Sequence, residues 1–206
     1  MNFNERFRGY LPVVVDLETG GFDVARNPLL EVACGLLKWE DDRLDVEAVH
    51  GWHVAPYPGS YIDPASLKVT GIDPDHPQRG ALPEREALMD FFRLVRAAMK
   101  SHGCQRAILV AHNAAFDQSF LQAACARQNI NRNPFHPFST MDTASLAAVA
   151  FGHTVLREAC RRAGIAFDSN RAHSATYDVQ ATAALFCKMV NGWPVDTASW
   201  APPLEN

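Results

Sequence analysis

The chain has 206 residues, 48% of them hydrophobic, with 19 basic and 23 acidic side chains for a net charge of −4. That length and apolar content suit one sizeable core, and no shift in composition marks a second domain, so residues 1–206 are read as a single domain. The negative charge excludes indiscriminate wrapping of nucleic acid. No apolar run approaches the roughly 20 residues that cross a bilayer, and the polar start MNFNER is unlike a secretory signal. A cytoplasmic protein with no membrane partner is expected.

Val13-Val14-Val15-Asp16-Leu17-Glu18 is a β-branched run stopped by Thr19-Gly20-Gly21, which predicts a buried strand and a flexible turn. Residues 29–39 and 47–55 are apolar enough to be the next two strands, with a charged turn at 40–43 between them. Pro56, Pro58, Pro64 and Pro74 predict a long irregular stretch. Residues 84–100 carry Leu88, Phe91, Phe92, Val95 and Met99 at helical spacing, and residues 107–111 follow as a fully buried strand. Helices are predicted over 117–128, 143–150, 154–163 and about 174–190, the last ended by Asn191-Gly192 and Trp193-Pro194. A strand hairpin followed by alternating helix and strand points to a mixed α/β sheet flanked by helices.

The five cysteines are scattered among apolar neighbours with no CxxC pair, so they are read as buried thiols rather than zinc ligands or a disulfide frame. Chemistry gathers instead at Asp16, Glu18, Asp117, His173 and Asp178. Successive strand side chains alternate faces, so Asp16 and Glu18 point the same way and can share a metal. Asp117 follows the fourth strand, which delivers it to the same sheet edge. His173 precedes Asp178 by five residues and is placed to take a proton from a water. Carboxylate oxygens suit Mg²⁺ or Mn²⁺, and such an acidic cluster is suited to cleaving phosphate esters. The bland alternatives are an acidic strand end of the DxDxT phosphatase kind, against which Glu18 and Gly20-Gly21 count, and helix capping by Asn113 or Asp117.

In their order, DLETGG, HNAAFD and HSATYD resemble the three motifs of the DEDD exonuclease superfamily, in the DEDDh subgroup whose third motif is HxxxxD. Residues 6–10 (RFRGY), 71–74 (GIDP), 133–138 (NPFHPF), 167–169 (FDS) and 192–193 (GW) extend the likeness, closest to the ribonuclease T family, over nearly the whole chain. The resemblance implies a ribonuclease-H-like fold with a mixed five-stranded sheet flanked by helices, and a homodimer. It implies 3′-to-5′ hydrolysis that trims short single-stranded 3′ tails of structured RNA such as tRNA and releases 5′-nucleotides, with DNA 3′ overhangs as a further substrate. Asp16, Glu18, Asp117 and Asp178 would hold two Mg²⁺, with Mn²⁺ as a substitute, and His173 would act as the base. Phe22, Phe116 and Phe138 match aromatic wedges that stack on the last bases. The chain departs from the family at Val69, where a further Phe is usual, and at Ala65, where a Glu is usual, so terminal-base discrimination is in question. Arg6, Arg8, Lys100, Arg106 and Arg132 would form a patch gripping RNA that enters the other subunit's site, although helical arginines commonly form a solvated face. A proofreading-type DNA exonuclease and a catalytically dead RNA-binding module are the rival readings.

Overall fold

The computed structural model describes residues 2–193 and 195. Its strands are β1 (Tyr10–Thr19), β2 (Leu29–Glu40), β3 (Arg43–Ala55), β4 (Leu82–Pro83), β5 (Arg106–Ala111) and β6 (Phe135–Asp142). They form one mixed sheet in the order β4-β3-β2-β1-β5-β6. The β1–β2 and β2–β3 pairs are antiparallel, whereas β1–β5, β5–β6 and β3–β4 are parallel. Helices are α1 (Phe3–Arg6), α2 (Pro64–Thr70), α3 (Glu84–Ser101), α4 (Ala114–Arg127), α5 (Thr143–Phe151), α6 (Leu156–Arg162) and α7 (Ala175–Gly192). Pro194, part of the predicted stop signal for α7, lies outside the described residues.

The α/β class and the helix-flanked mixed sheet hold, with six strands among the described residues where five were expected. The extra strand is the two-residue β4, paired with Val54 and Ala55. The sequence reading passed over the short α1 and β4 as well as two longer elements that contain proline, α2 and β6. The stretch read as irregular includes α2, where Pro64 occupies the first turn, a position that needs no N–H donor. The Asp63 carboxylate caps it by accepting the Ala65 N–H at 2.8 Å, and Gly71, at φ 69, ends it. The segment NPFHPF opens β6, an edge strand that tolerates Pro137 because its pairing with β5 is interrupted between Ala107 and Leu109.

One large core gathers the inward side chains of β1, β2 and β5 with Phe91 and Phe92 of α3, Phe120 of α4 and Phe186 of α7. A smaller one lies among α5, α6 and α7 around Ala159, Cys160, Ala181 and Leu185. All five cysteines are free and buried, as their apolar settings predict.

The position of α7 follows from small residues on the sheet. A Cβ built on Gly35 of β2 would lie 3.1 Å from Val179, and one on Gly51 of β3 would lie 2.4 Å from the Thr176 methyl. The first turn of α7 therefore rests against bare backbone. Gly51→Ala is expected to push that turn off the sheet and destabilise the protein by about 1–3 kcal/mol, the usual cost of overpacking, in denaturant melts.

Candidate active site

The acidic residues meet where β1 ends. Asp16 and Glu18 are two apart on β1, with the same facing as Val14, whose neighbour across the strand pair is Gly35 under α7. The parallel strand β5 leads through the 112–113 turn into α4, whose first turn carries Asp117. Asp117 is buried, and its Oδ1 accepts the Leu17 N–H at 3.0 Å, which ties it to the β1 segment that carries Asp16 and Glu18. Asn113 precedes α4 in a left-handed conformation, φ 71, and makes no side-chain cap. Asp178 lies in the first turn of α7, and its Oδ2 accepts the His173 N–H at 2.9 Å. Donor atoms of Glu18, His173 and Asp178 lie within 4.8 Å of one another.

The electrostatics of this cluster are adverse in the absence of a cation. Burial, and then repulsion from Asp117, Glu18, Asp178 and Glu31, pushes the Asp16 carboxyl well above the usual range. Glu18 is raised to about 8 by burial and then by Asp178, Glu31 and Asp117. Burial raises Asp117 to about 8 against the hydrogen bonds it accepts, and raises Asp178 against the His173 N–H and nearby imidazoles. The buried Asp178 Oδ1 has no hydrogen-bond partner among the described residues. Hard oxygen donors, an orphaned oxygen and mutual repulsion together fit divalent cations, which would offset charges that no lysine or arginine bonds to among the described residues.

Beside the carboxylates is a cavity of ≈290 Å³ whose walls include Glu18, Phe22, Val69, Phe116 and His173. Its rim depends on Gly21, at φ +152, where an added Cβ would collide with the Asn27 amide 2.4 Å away. Asn27 in turn accepts the Asp23 N–H at 2.7 Å, and the turn leaves Phe22 86% exposed. Phe22 and Phe116 meet edge to face at 6.1 Å, and Val69 stands 58% exposed on α2. Phe138 lies elsewhere. It is 80% exposed on β6, packed edge-on against His136 at 4.5 Å.

The basic residues divide. Arg8, Lys100, Arg106 and Arg132 are exposed, and Arg8 lies over the Tyr10 ring at 5.0 Å. Arg6 instead reaches the C-terminal end of α7, donating to the Trp193 carbonyl at 2.7 Å, with part of its guanidinium buried.

Sequence reasoning passed over three residues that shape the site. Glu31 on β2 faces Glu18 across the strand pair. His112 is held between the Thr143 hydroxyl at 3.0 Å and the Thr154 carbonyl at 2.6 Å, and burial pushes its imidazole pKa down. Asp142 accepts the Asn113 and Ala144 N–H groups, both at 3.0 Å, and so braces the turn that leads to α4. An acid in an otherwise apolar strand, as at Glu31, was the one signal available.

The exonuclease family profile, RNase_T, matches residues 13–186. The chain is 56% identical over 189 residues to ribonuclease T of Hahella chejuensis, covering 91% of this chain and 87% of that one. It belongs to the ribonuclease T exonuclease family. Ribonuclease T of Escherichia coli is 50% identical over 201 residues, 94% of each chain. Among solved structures, the nuclease domain of 3′hExo, a DEDDh family member bound to rAMP, superposes with a TM-score of 0.71 at 17% identity over 88% of this chain and 92% of that one. Exonuclease I of E. coli in complex with a dT13 oligonucleotide superposes with a TM-score of 0.68 at 19% identity, over 88% of this chain but only 41% of its own length. The fold is the ribonuclease-H-like exonuclease fold, and the family makes the chain a 3′-to-5′ exonuclease, a divalent-metal-dependent phosphodiester hydrolase.

Glu18 and Asp117 keep protons in the metal-free fold up to about pH 8, whereas the unfolded chain releases them in the ordinary carboxylate range. Folded pKa values above unfolded ones give stability that is full at low pH and is lost as pH rises toward 8. Melting in chelator should therefore show Tm falling from about pH 5 to pH 8. Added Mg²⁺ or Mn²⁺ should raise Tm more at pH 8 than at pH 6, and a metal-induced rise independent of pH would contradict this electrostatic account.

Proposed function

We propose that the chain is a cytoplasmic exoribonuclease, built as one domain over residues 1–206 and acting as a homodimer, that trims short single-stranded 3′ tails of tRNA and other structured RNAs. The observation that supports this most directly is the convergence of Glu18, His173 and Asp178 donor atoms within 4.8 Å, beside Asp16 and Asp117 and against a cavity with an aromatic rim.

Asp16, Glu18, Asp117 and Asp178 would hold two Mg²⁺ ions, with Mn²⁺ able to replace them. When bound, such ions activate a water and offset the charge that builds on the phosphate in the transition state. The protein's own part is positioning. Asp117 is aligned by the Leu17 N–H and Asp178 by the His173 N–H, which leaves Asp178 Oδ1 for the cation. A terminal nucleotide in the cavity would place its phosphate beside His173, whose imidazole takes the proton of the attacking water. Phe22 and Phe116 would stack on the last bases, a contact open to any base. Val69 adds an aliphatic face and Ala65 offers no side-chain acceptor, so this wall favours tolerance of the terminal base over discrimination.

Arg8, Arg106 and the base of β6 lie at the start of the parallel strands, whereas the carboxylates lie at the end of β1. From Tyr10 to Asp16 is about 20 Å along the strand. That separation favours service of the basic residues, Lys100 and Arg132 among them, to RNA held at a second subunit's site, with Phe138, exposed on β6, as the third aromatic wedge on the bases. Arg6 joins this patch only in part, since its guanidinium is engaged with Trp193.

On a tRNA-like hairpin with a short 3′ overhang, divalent metal should produce stepwise shortening that halts near the stem, read on a sequencing gel. Endonucleolytic fragments would contradict the proposal, and matched RNA and DNA strands run in parallel report sugar preference. Phe22→Ala should raise KM for a single-stranded RNA by about 5- to 100-fold, the loss of one stacked base, with a smaller change in kcat.

A further inference from the structure

Glu31 has no task in the chemistry above, yet it stands at the centre of the site's support. It lies on β2 directly across from Glu18, in a strand otherwise apolar through residues 29–37, and its charge adds to the repulsion on Glu18 and Asp16. A carboxylate in such a place works against the cluster unless its own bonds offset the cost. Those bonds lead to one structure. Oε2 accepts the Ala175 N–H at 3.2 Å, and Oε1 lies 3.0 Å from His53 Nδ1 on β3.

Ala175 is the first residue of α7, and the preceding Ser174 makes no side-chain cap, so the open N–H at this helix start is met by an acid from another strand. The residue just before that cap is His173, held in the left-handed conformation at φ 66 with its N–H on Asp178 Oδ2. A non-glycine residue keeps that conformation only where its surroundings over-determine it. The Gly51–Thr176 approach supplies one constraint from below, and Glu31 supplies the other from the side.

We propose that Glu31 is a positioning residue: by tying the first turn of α7 to β2 and β3, it holds the His173 imidazole beside Glu18 and Asp178. The inference rests on the reading of His173 as the proton acceptor. His53 is the brace that orients the Glu31 carboxylate.

The test compares Glu31→Ala, Glu31→Gln, Glu31→Asp, His173→Ala and the double variant Glu31→Ala/His173→Ala, in the full chain with Mg²⁺ on a labelled single-stranded RNA. Glu31→Ala should lower kcat by about 10- to 100-fold, the range for groups one shell out from a reactive centre, with KM changed less than about threefold. Glu31→Gln retains an acceptor for the Ala175 N–H and should recover most of the rate. Glu31→Asp keeps the charge but is one methylene short and should reproduce the loss, which decides the matter even where the alanine variant folds poorly. The double variant should be no slower than His173→Ala alone, because both act through one imidazole. Hydrogen exchange gives a readout independent of chemistry: residues 173–178 should exchange faster in Glu31→Ala and at the parent rate in Glu31→Gln. Multiplied losses in the double variant, full kcat in Glu31→Asp, or unchanged exchange in Glu31→Ala would each overturn the proposal. Parent activity in His173→Ala would instead remove the proton-acceptor reading, while the exchange data still decide whether Glu31 tethers the helix.

Discussion

Burial of four clustered carboxylates, with the repulsion it imposes on Asp16 and Glu18, is the constraint around which this structure is arranged. Asp16, Glu18, Asp117 and Asp178 come from one strand and two helices, and each is pushed toward its protonated form by burial and, for the β1 pair, by its neighbours. No arginine or lysine bonds to any of them among the described residues. The fold opposes this repulsion with a rigid sheet core, backbone N–H donors to Asp117 and Asp178, and close packing of α7 on Gly35 and Gly51. A scaffold that holds acids together against their charge is already shaped for cations.

The same arrangement separates the acidic cluster from Arg8 and Arg106. The carboxylates sit at the finishing end of β1, the aromatic cavity beside them is formed by the following turn and α2, and the exposed Arg8 and Arg106 stand at the strand starts.

Much of this was legible in the sequence because the informative residues stand at element boundaries. The β-branched run before Asp16 and the Gly-Gly after Glu18 fixed both a strand and its mouth, and the five-residue step from His173 to Asp178 placed both at one helix start. What could not be read was set by pairing. Glu31 is an acid within an apolar strand, and only the β1–β2 register puts it opposite Glu18. The helix α2 was hidden in a proline-punctuated stretch, although Pro64 is in fact its helix-start residue, and Arg6 appeared as a free cation until the fold brought Trp193 to it. Phe138 carries the same aromatic signal as Phe22 and Phe116 but stands apart from them on the β6 edge. Spacing reports which residues share an element, not which elements meet.

The most direct test is anomalous diffraction from crystals soaked in Mn²⁺. The account predicts two peaks per chain, both within coordination distance of the carboxylate oxygens of Asp16, Glu18, Asp117 and Asp178, and their loss in Asp16→Asn. Peaks confined to other acidic side chains, with none at the end of β1, would contradict it.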